Sequence, residues 1–186
     1  MGVIPRPAMA AERRIALCVA TFYTELAEKL EQGARAALAE AGIDEADRFE
    51  VPGAFELPLA ARYVVQSGRY DGVVCLGAVI RGETDHYDYV CSAAAEGISN
   101  VQLTSGVPCG FGLLTVENMD QARARVTGGD KRDTGRHAVE AVLASLAVRD
   151  ELSGRQPDDS GAARNGEAGG RAGSRPESEA GSRAGG

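Results

Sequence analysis

Two patterns of hydrophobic positions alternate along residues 13–152 of the chain. Continuous apolar runs are typical of strands covered on both faces, and apolar residues at every third or fourth position are typical of helices with one buried face. The runs, together with one shorter segment, predict strands at 15–21, 48–51, 72–80 and 108–115. The helical spacing predicts helices at 26–41, 55–67, 85–102, 119–126 and 137–149.

The order of these elements predicts an α/β fold. Strands that alternate with helices form a parallel sheet, because right-handed crossovers place the helices on its two faces. Gly42 and Gly68 stand where the first two helices should end, and Pro58 falls in the first turn of the second helix, where proline is tolerated. We therefore predict a three-layer α/β/α domain with a parallel four-stranded sheet, and this arrangement resembles the flavodoxin-like architecture.

Composition divides the chain into three parts. Residues 153–186 are rich in Gly, Ala, Ser, Arg and Glu and contain no large apolar residue. Such a segment buries too little surface to offset the entropy of ordering it, so we predict a disordered tail there. We also predict an N-terminal arm at 1–12 and one folded domain at 13–152.

Charge and cysteine usage narrow the class of protein. The formal net charge of -7 argues against a nucleic-acid-binding face, and neither a signal peptide nor an apolar stretch of roughly 18 residues is recognisable. The four cysteines lack CxxC spacing. Cys18, Cys75 and Cys109 lie in or beside apolar runs, which indicates core packing in a reducing compartment. We therefore expect a cytoplasmic protein that binds neither nucleic acid nor membrane and holds no metal.

The unusual residues of the domain follow the ends of the predicted strands. Phe22 follows the first strand, Glu56 follows the second, a polar segment at 81–88 follows the third, and Glu117 follows the fourth. Ligands of open parallel sheets bind outside the carboxyl ends of the strands. The sequence therefore predicts a binding site on this rim of the sheet.

The segment at 77–89 carries the strongest signal for an anion. A buried strand runs into a turn with Gly82, and the turn opens a helix whose free backbone N–H groups and dipole attract anions. Thr84 or Asp85 can cap this helix, and capping alone explains both residues equally well. His86 lies in the first turn, where the dipole disfavours a protonated imidazole, so it is either a proton shuttle or a surface histidine.

Several other candidates each have two interpretations. Glu56 either satisfies the start of its helix or accepts hydrogen bonds from ligand hydroxyls. Phe22 either packs in the core or stacks on a ligand. Within one subunit, Phe111 is predicted to be a core residue, Arg125 near the end of the fourth helix a solvated charge, and His137 a surface residue.

Three motifs together resemble one family. Residues 51–58 read VPGAFELP, residues 76–90 read LGAVIRGETDHYDYV, and residues 111–118 read FGLLTVEN. In this order they resemble the 6,7-dimethyl-8-ribityllumazine synthases, and the resemblance covers residues 13–152. It implies an oligomeric enzyme of riboflavin biosynthesis without cofactor or metal. The reaction would condense 5-amino-6-ribitylaminouracil with 3,4-dihydroxy-2-butanone 4-phosphate and release phosphate and water.

The resemblance also implies roles for individual residues. His86 would transfer protons. The pyrimidine and the ribityl chain would be bound by Phe22, Ala54, Phe55, Glu56, Val79, Ile80 and Phe111. The phosphate would be bound by Gly82, Glu83, Thr84 and Arg125. Family sites lie between subunits of a pentamer, so Phe111 would complete the pocket of a neighbour, and riboflavin synthase is a candidate protein partner.

The chain departs from the family pattern in two places. Tyr23 stands where the family usually has Asn, and Thr134 stands where it commonly has Lys. Lys131, Arg132 or Arg136 is left to supply the missing positive charge. The alternatives to a lumazine synthase are an archaeal-type riboflavin synthase, a flavodoxin-like flavin-binding protein, and a non-catalytic lumazine-binding or shell-forming scaffold.

Overall fold

The computed structural model describes residues 13–153. The predicted N-terminal arm and nearly all of the predicted tail therefore lie outside the described residues. The four strands are β1 (Ile15–Ala20), β2 (Ala46–Val51), β3 (Gly72–Ile80) and β4 (Cys109–Val116). The five helices are α1 (Thr24–Glu40), α2 (Leu57–Gln66), α3 (His86–Ser105), α4 (Met119–Arg123) and α5 (Thr134–Ser153).

The strands form one parallel sheet in the order β2-β1-β3-β4. This order confirms the predicted α/β class and the flavodoxin-like arrangement. Because all four strands run in the same direction, their carboxyl ends meet on one rim. The strands β2 and β4 form the two edges, and β1 and β3 lie between them.

Alternate side chains of the strands enter two separate hydrophobic cores, as the period of two in a strand requires. One core joins the sheet to α1, α4 and α5, and it contains Leu17, Leu76, Leu30 and Val139. The other joins the opposite face of the sheet to α2 and α3. Helices thus cover both faces of the sheet, which explains why β1 is buried at every position.

The buried cysteines belong to the second core. Cys18, Cys75 and Cys109 are free thiols packed between the sheet and its helices, which confirms their predicted place in the core. Burial raises the pKa of Cys109 to about 12. Within residues 13–153, no cluster of metal-ligating side chains is present, and no helix is long and apolar enough to cross a membrane.

Several predicted boundaries differ from the structure by a few residues, and three of these differences have a local cause. A short 3-10 turn at Ala54–Glu56 precedes α2. The helix α4 ends at Arg123, because the chain turns back and the Lys131 N–H bonds to the carbonyl of Ala124. The helix α5 begins three residues earlier than predicted, since an Asp133 carboxylate oxygen accepts a hydrogen bond from the Arg136 N–H at 3.0 Å.

Candidate active site

A cavity of about 420 Å³ opens at the carboxyl rim of the sheet. Its volume falls in the range of small-molecule sites, roughly 300–1,000 Å³. The turns after β1, β2 and β3 all contribute to its lining. The predicted site residues that the structure brings together here are Phe22, Ala54, Phe55, Glu56, Val79, Ile80, Gly82, Thr84 and His86.

The turn after β1 presents an aromatic face to this cavity. Phe22 is 73% exposed, so it is not a core residue, and its ring meets that of Tyr23 edge to face with centroids 5.0 Å apart. Tyr23 is only partly exposed and packs against the core beneath α1. The Phe22 ring thus contacts Tyr23 and is otherwise exposed enough to stack on a ligand.

The turn after β2 places a carboxylate in the same cavity. The 3-10 turn buries Ala54 and leaves Glu56 half-buried at the start of α2. Glu56 does not cap α2 through its side chain, and within residues 13–153 its carboxylate has no hydrogen bond or ion pair. A carboxylate in this position is available to ligand hydroxyl groups.

The turn after β3 leads into α3 without a side-chain cap. Asp85 occupies the N-cap position but makes no capping hydrogen bond, so the predicted side-chain capping is wrong. Its backbone lies in the helical region, with φ -67° and ψ -2°, whereas a capping residue needs an extended backbone to aim its side chain at the helix. The backbone N–H groups of His86 and Tyr87 consequently have no partner among the described residues.

Charge around this helix start suits an anion. Gly82, Thr84 and His86 line the cavity, whereas Glu83 and Asp85 are exposed and outside its lining. The free N–H groups and the positive end of the α3 dipole thus lie at the cavity, whose lining from this turn includes neither Glu83 nor Asp85. His86 stands in the first position of α3 and is exposed.

Phe111 and Arg125 lie outside the cavity of the single chain. Phe111 is 41% exposed on the edge strand β4, so the prediction of a core residue is wrong: α3 leaves this position uncovered. Arg125 follows α4 instead of lying in it, and its Nη1 donates to the carbonyl of Gln121 at 2.9 Å. Within residues 13–153 its guanidinium has no carboxylate partner.

The comparisons with known proteins agree with this geometry. The family model described as 6,7-dimethyl-8-ribityllumazine synthase matches residues 12–150. The chain belongs to this family. A relative of that name from Kineococcus radiotolerans is 47% identical over 77% of this chain and 88% of its own length. Relatives of the same name from Micrococcus luteus and Deinococcus radiodurans are 44% and 43% identical, over 78% and 77% of this chain and 91% and 92% of theirs.

Family membership confirms several expectations from the sequence. The resemblance at residues 51–58, 76–90 and 111–118 identified the family correctly, and the chain is a transferase of riboflavin biosynthesis of the lumazine synthase type. The predicted flavodoxin-like fold is likewise that of the family.

Two cations near the start of α5, where the family resemblance implied a lysine at position 134, are engaged in other contacts. Arg136 donates to both oxygens of Glu40 at 2.7 Å, and Arg132 contacts His137 and Glu140. Neither cation is therefore a free substitute for the lysine that Thr134 replaces. Lys131 has only a 3.6 Å ion pair with Asp130 and remains available.

Sequence reasoning assigned no role to one aromatic residue of the cavity. Tyr87 lines the cavity, and burial, followed by the nearby Cys91, raises the pKa of its phenol. The signal was present in the sequence: a residue that follows His86 in the first turn of α3 must lie close to the same rim.

Proposed function

We propose that the rim cavity is where this chain condenses 5-amino-6-ribitylaminouracil with 3,4-dihydroxy-2-butanone 4-phosphate to give 6,7-dimethyl-8-ribityllumazine. One observation carries the proposal. The cavity holds an exposed aromatic ring, an unpaired carboxylate and an uncapped helix start with a histidine, contributed by three different turns. The aromatic ring suits a flat pyrimidine ring, the carboxylate suits a polyol chain, and the helix start suits a phosphate.

The aminopyrimidine occupies the Phe22 side of the cavity in this proposal. Its ring stacks on Phe22 and lies along the end of β3, where Val79 and Ile80 offer backbone groups. The ribityl hydroxyls reach Glu56, whose carboxylate is a strong acceptor. Ala54 and Phe55 form the wall between ring and chain, with Ala54 buried and Phe55 61% exposed.

The phosphorylated ketone occupies the start of α3. Its phosphate accepts hydrogen bonds from backbone N–H groups near Gly82, Glu83 and Thr84. The amine of the pyrimidine then forms an imine with the ketone, phosphate is eliminated, and the second ring closes with loss of water. His86, the first residue of α3, moves the protons that these steps require. Holding both substrates in place supplies a large part of the rate.

Each site is completed by a second subunit in this proposal. The support is that Phe111 is exposed on an edge strand and that the Arg125 guanidinium has no carboxylate partner within residues 13–153, although neither residue lines the cavity of its own chain. Other large apolar side chains are exposed on α2 and α3, namely Leu59, Tyr63, Tyr89 and Leu103. Exposed apolar groups of this kind mark association surfaces, and a pentamer or a multiple of pentamers is the proposed assembly.

Turnover with defined substrates tests the reaction. The purified protein should form the fluorescent lumazine from the two substrates and release one phosphate per product. Supplied with the lumazine alone, it should form no riboflavin, since riboflavin would indicate the archaeal-type synthase. Binding of lumazine without any turnover would instead indicate a scaffold, and a yellow purified protein would favour a flavin-binding protein.

Mixing two impaired variants tests the shared site. His86→Ala and Arg125→Ala subunits, unfolded and reassembled together, should show more activity at a limiting concentration of the phosphorylated ketone than either variant alone. If neighbours complete each other's sites in a cyclic assembly, about a quarter of the mixed sites combine an intact His86 with an intact Arg125. Activity no higher than that of the separate variants would place both residues in one chain's site. The mass of the assembly, measured alongside, tests the pentamer.

Two further expectations stay predictions. A cytoplasmic location is supported by the three buried free thiols. Association with riboflavin synthase would be tested by co-sedimentation of the two proteins.

A further inference from the structure

Arg81 connects three elements at the edge of the cavity without lining it. The residue directly follows β3, and its backbone N–H donates to the carbonyl of Val116 at 2.9 Å. Its guanidinium donates to both carboxylate oxygens of Asp88, in the first turn of α3, at 3.1 and 2.9 Å. Its Nε donates to Glu117, just after β4, at 3.2 Å. One side chain thus joins the ends of β3 and β4 to the start of α3.

The same guanidinium lies over an aromatic ring of the cavity. The central carbon of the Arg81 guanidinium is 4.1 Å from the centroid of the Tyr87 ring, and Tyr87 is a lining residue next to His86. Planar guanidinium groups stack on aromatic faces. Arg81 therefore restrains an aromatic ring that lines the cavity as well as the helix that carries His86.

The turn at 82–85 has no side-chain support of its own. All four residues are exposed, and within residues 13–153 the side chains of Glu83, Thr84 and Asp85 make no hydrogen bond or ion pair. Backbone hydrogen bonds from Asp88 and Tyr89 to the Asp85 carbonyl fix only the helix start. The pair between Arg81 and Asp88 spans the turn from one end to the other. Holding both ends of a short loop reduces the conformations available to it.

We propose that Arg81 is a positioning residue. Its bidentate contact with Asp88 holds His86 and the turn at 82–85, where the phosphate would bind, in the geometry that the reaction needs. The inference rests on the proposed function of the cavity. The shape of the contact matters as well as its charge, because a guanidinium matches a carboxylate through two parallel hydrogen bonds. Side chains as exposed as Arg81 and Asp88, at 36% and 58%, contribute little to stability. The effect of losing the pair should therefore fall on catalysis.

Steady-state kinetics of Arg81→Gln, Asp88→Asn and the double variant test this inference. The matched control is Arg48→Gln, because Arg48 also bridges two carboxylates, Glu31 and Glu50, with a side chain 31% exposed. Arg81→Gln should raise KM for the phosphorylated ketone and lower kcat. The combined loss should be about 10- to 100-fold, as for displacement of a positioned group. KM for the aminopyrimidine and the activity of the control should not change.

The double variant separates positioning from unrelated damage. Its loss should not exceed that of Arg81→Gln, because both substitutions break the same contact. Independent, multiplying losses would overturn the inference, as would equal losses for both substrates or no loss at all. If Arg81→Gln fails to fold, Asp88→Asn serves alone, since it leaves the contact between Arg81 and Glu117 in place.

Calorimetric titration of the assembled protein with inorganic phosphate gives a measurement that does not depend on turnover. Arg81→Gln should weaken phosphate binding about 10-fold or more, with the Arg48→Gln control unchanged. Unaltered phosphate affinity would overturn the role of Arg81 even if the wild-type protein proved inactive. Inactivity of the wild type with both substrates would instead contradict the proposed function.

Discussion

The backbone N–H of Thr21 donates to the carbonyl oxygen of Val51 at 3.0 Å, and the Thr21 hydroxyl reaches the same oxygen at 3.3 Å. These bonds extend the pairing of β1 and β2 by one residue. They tie the turn that presents Phe22 to the turn that presents Glu56, so the aromatic face and the carboxylate are held as one unit.

Glu56→Gln should impair use of the aminopyrimidine. The amide keeps the shape of the side chain but loses the charge, and a hydrogen bond to a charged group contributes about 1.5–3 kcal/mol. We expect KM for the aminopyrimidine to rise by about 10- to 100-fold, with little change for the phosphorylated ketone. Glu28→Gln, on the exposed side of α1, is the control. Equal effects on both substrates would place Glu56 elsewhere in the reaction.

His86→Ala should lower kcat and leave assembly intact. His86 is exposed in the first position of α3, so its removal opens no core cavity. We expect a loss of about 10- to 1,000-fold, at or below the usual contribution of a positioned acid–base group, because holding the two substrates together remains effective. The control is His137→Ala, which removes the chain's other histidine, located on α5. Unchanged kcat would remove His86 from the mechanism.

Arg125→Ala should impair use of the phosphorylated ketone far more than that of the aminopyrimidine. Loss of a charged hydrogen bond to phosphate corresponds to about 1.5–3 kcal/mol, and therefore to a 10- to 100-fold rise in KM for that substrate. Arg123→Ala is a close control, since Arg123 faces Glu25 at 3.6 Å. The same loss for both substrates would contradict a role in phosphate binding.

Two glycine substitutions should separate ligand binding from folding. A Cβ at Gly82 would meet no atom within 4 Å, so Gly82→Ala should leave the free energy of unfolding unchanged while hindering close approach of phosphate to the backbone. A Cβ at Gly135 would overlap the carbonyl of Leu30, so Gly135→Ala should lower the free energy of unfolding by about 1–3 kcal/mol. Denaturant unfolding and phosphate titration measure the two effects. A destabilised Gly82→Ala variant would contradict this separation.

The buried thiols should resist alkylation in the folded protein. The nucleophile is the thiolate, and burial raises the pKa of Cys109 to about 12, so at pH 8 this thiol stays protonated and shielded. Mass spectrometry after brief treatment with iodoacetamide should show Cys18, Cys75 and Cys109 unmodified, and all three modified after unfolding in denaturant. Rapid modification of Cys109 in the folded protein would show that the second core is open to solvent.

The sequence predictions were accurate for features that depend on residues close together in the chain. They were less accurate for features that depend on contacts between distant residues. Periodicity located β3 at its observed bounds and the ends of α1 and α2, where Gly42 and Gly68 adopt φ values of 80° and 66°. These features depend on neighbours in the chain. The start of α5 was missed although Asp133 marked it, because a capping side chain next to several other polar residues is a weak signal.

The sequence by itself determined the α/β class, the order of elements and the rim on which Phe22, Glu56 and His86 lie. A parallel sheet brings the carboxyl ends of all its strands to one side, whatever the detail of the packing. Only the tertiary structure decided that Phe111 is exposed, that Asp85 leaves α3 uncapped, and that Arg81 forms ion pairs with Asp88 and Glu117. These depend on backbone angles at single residues and on side chains that meet across different elements, neither of which a local hydrophobic pattern encodes.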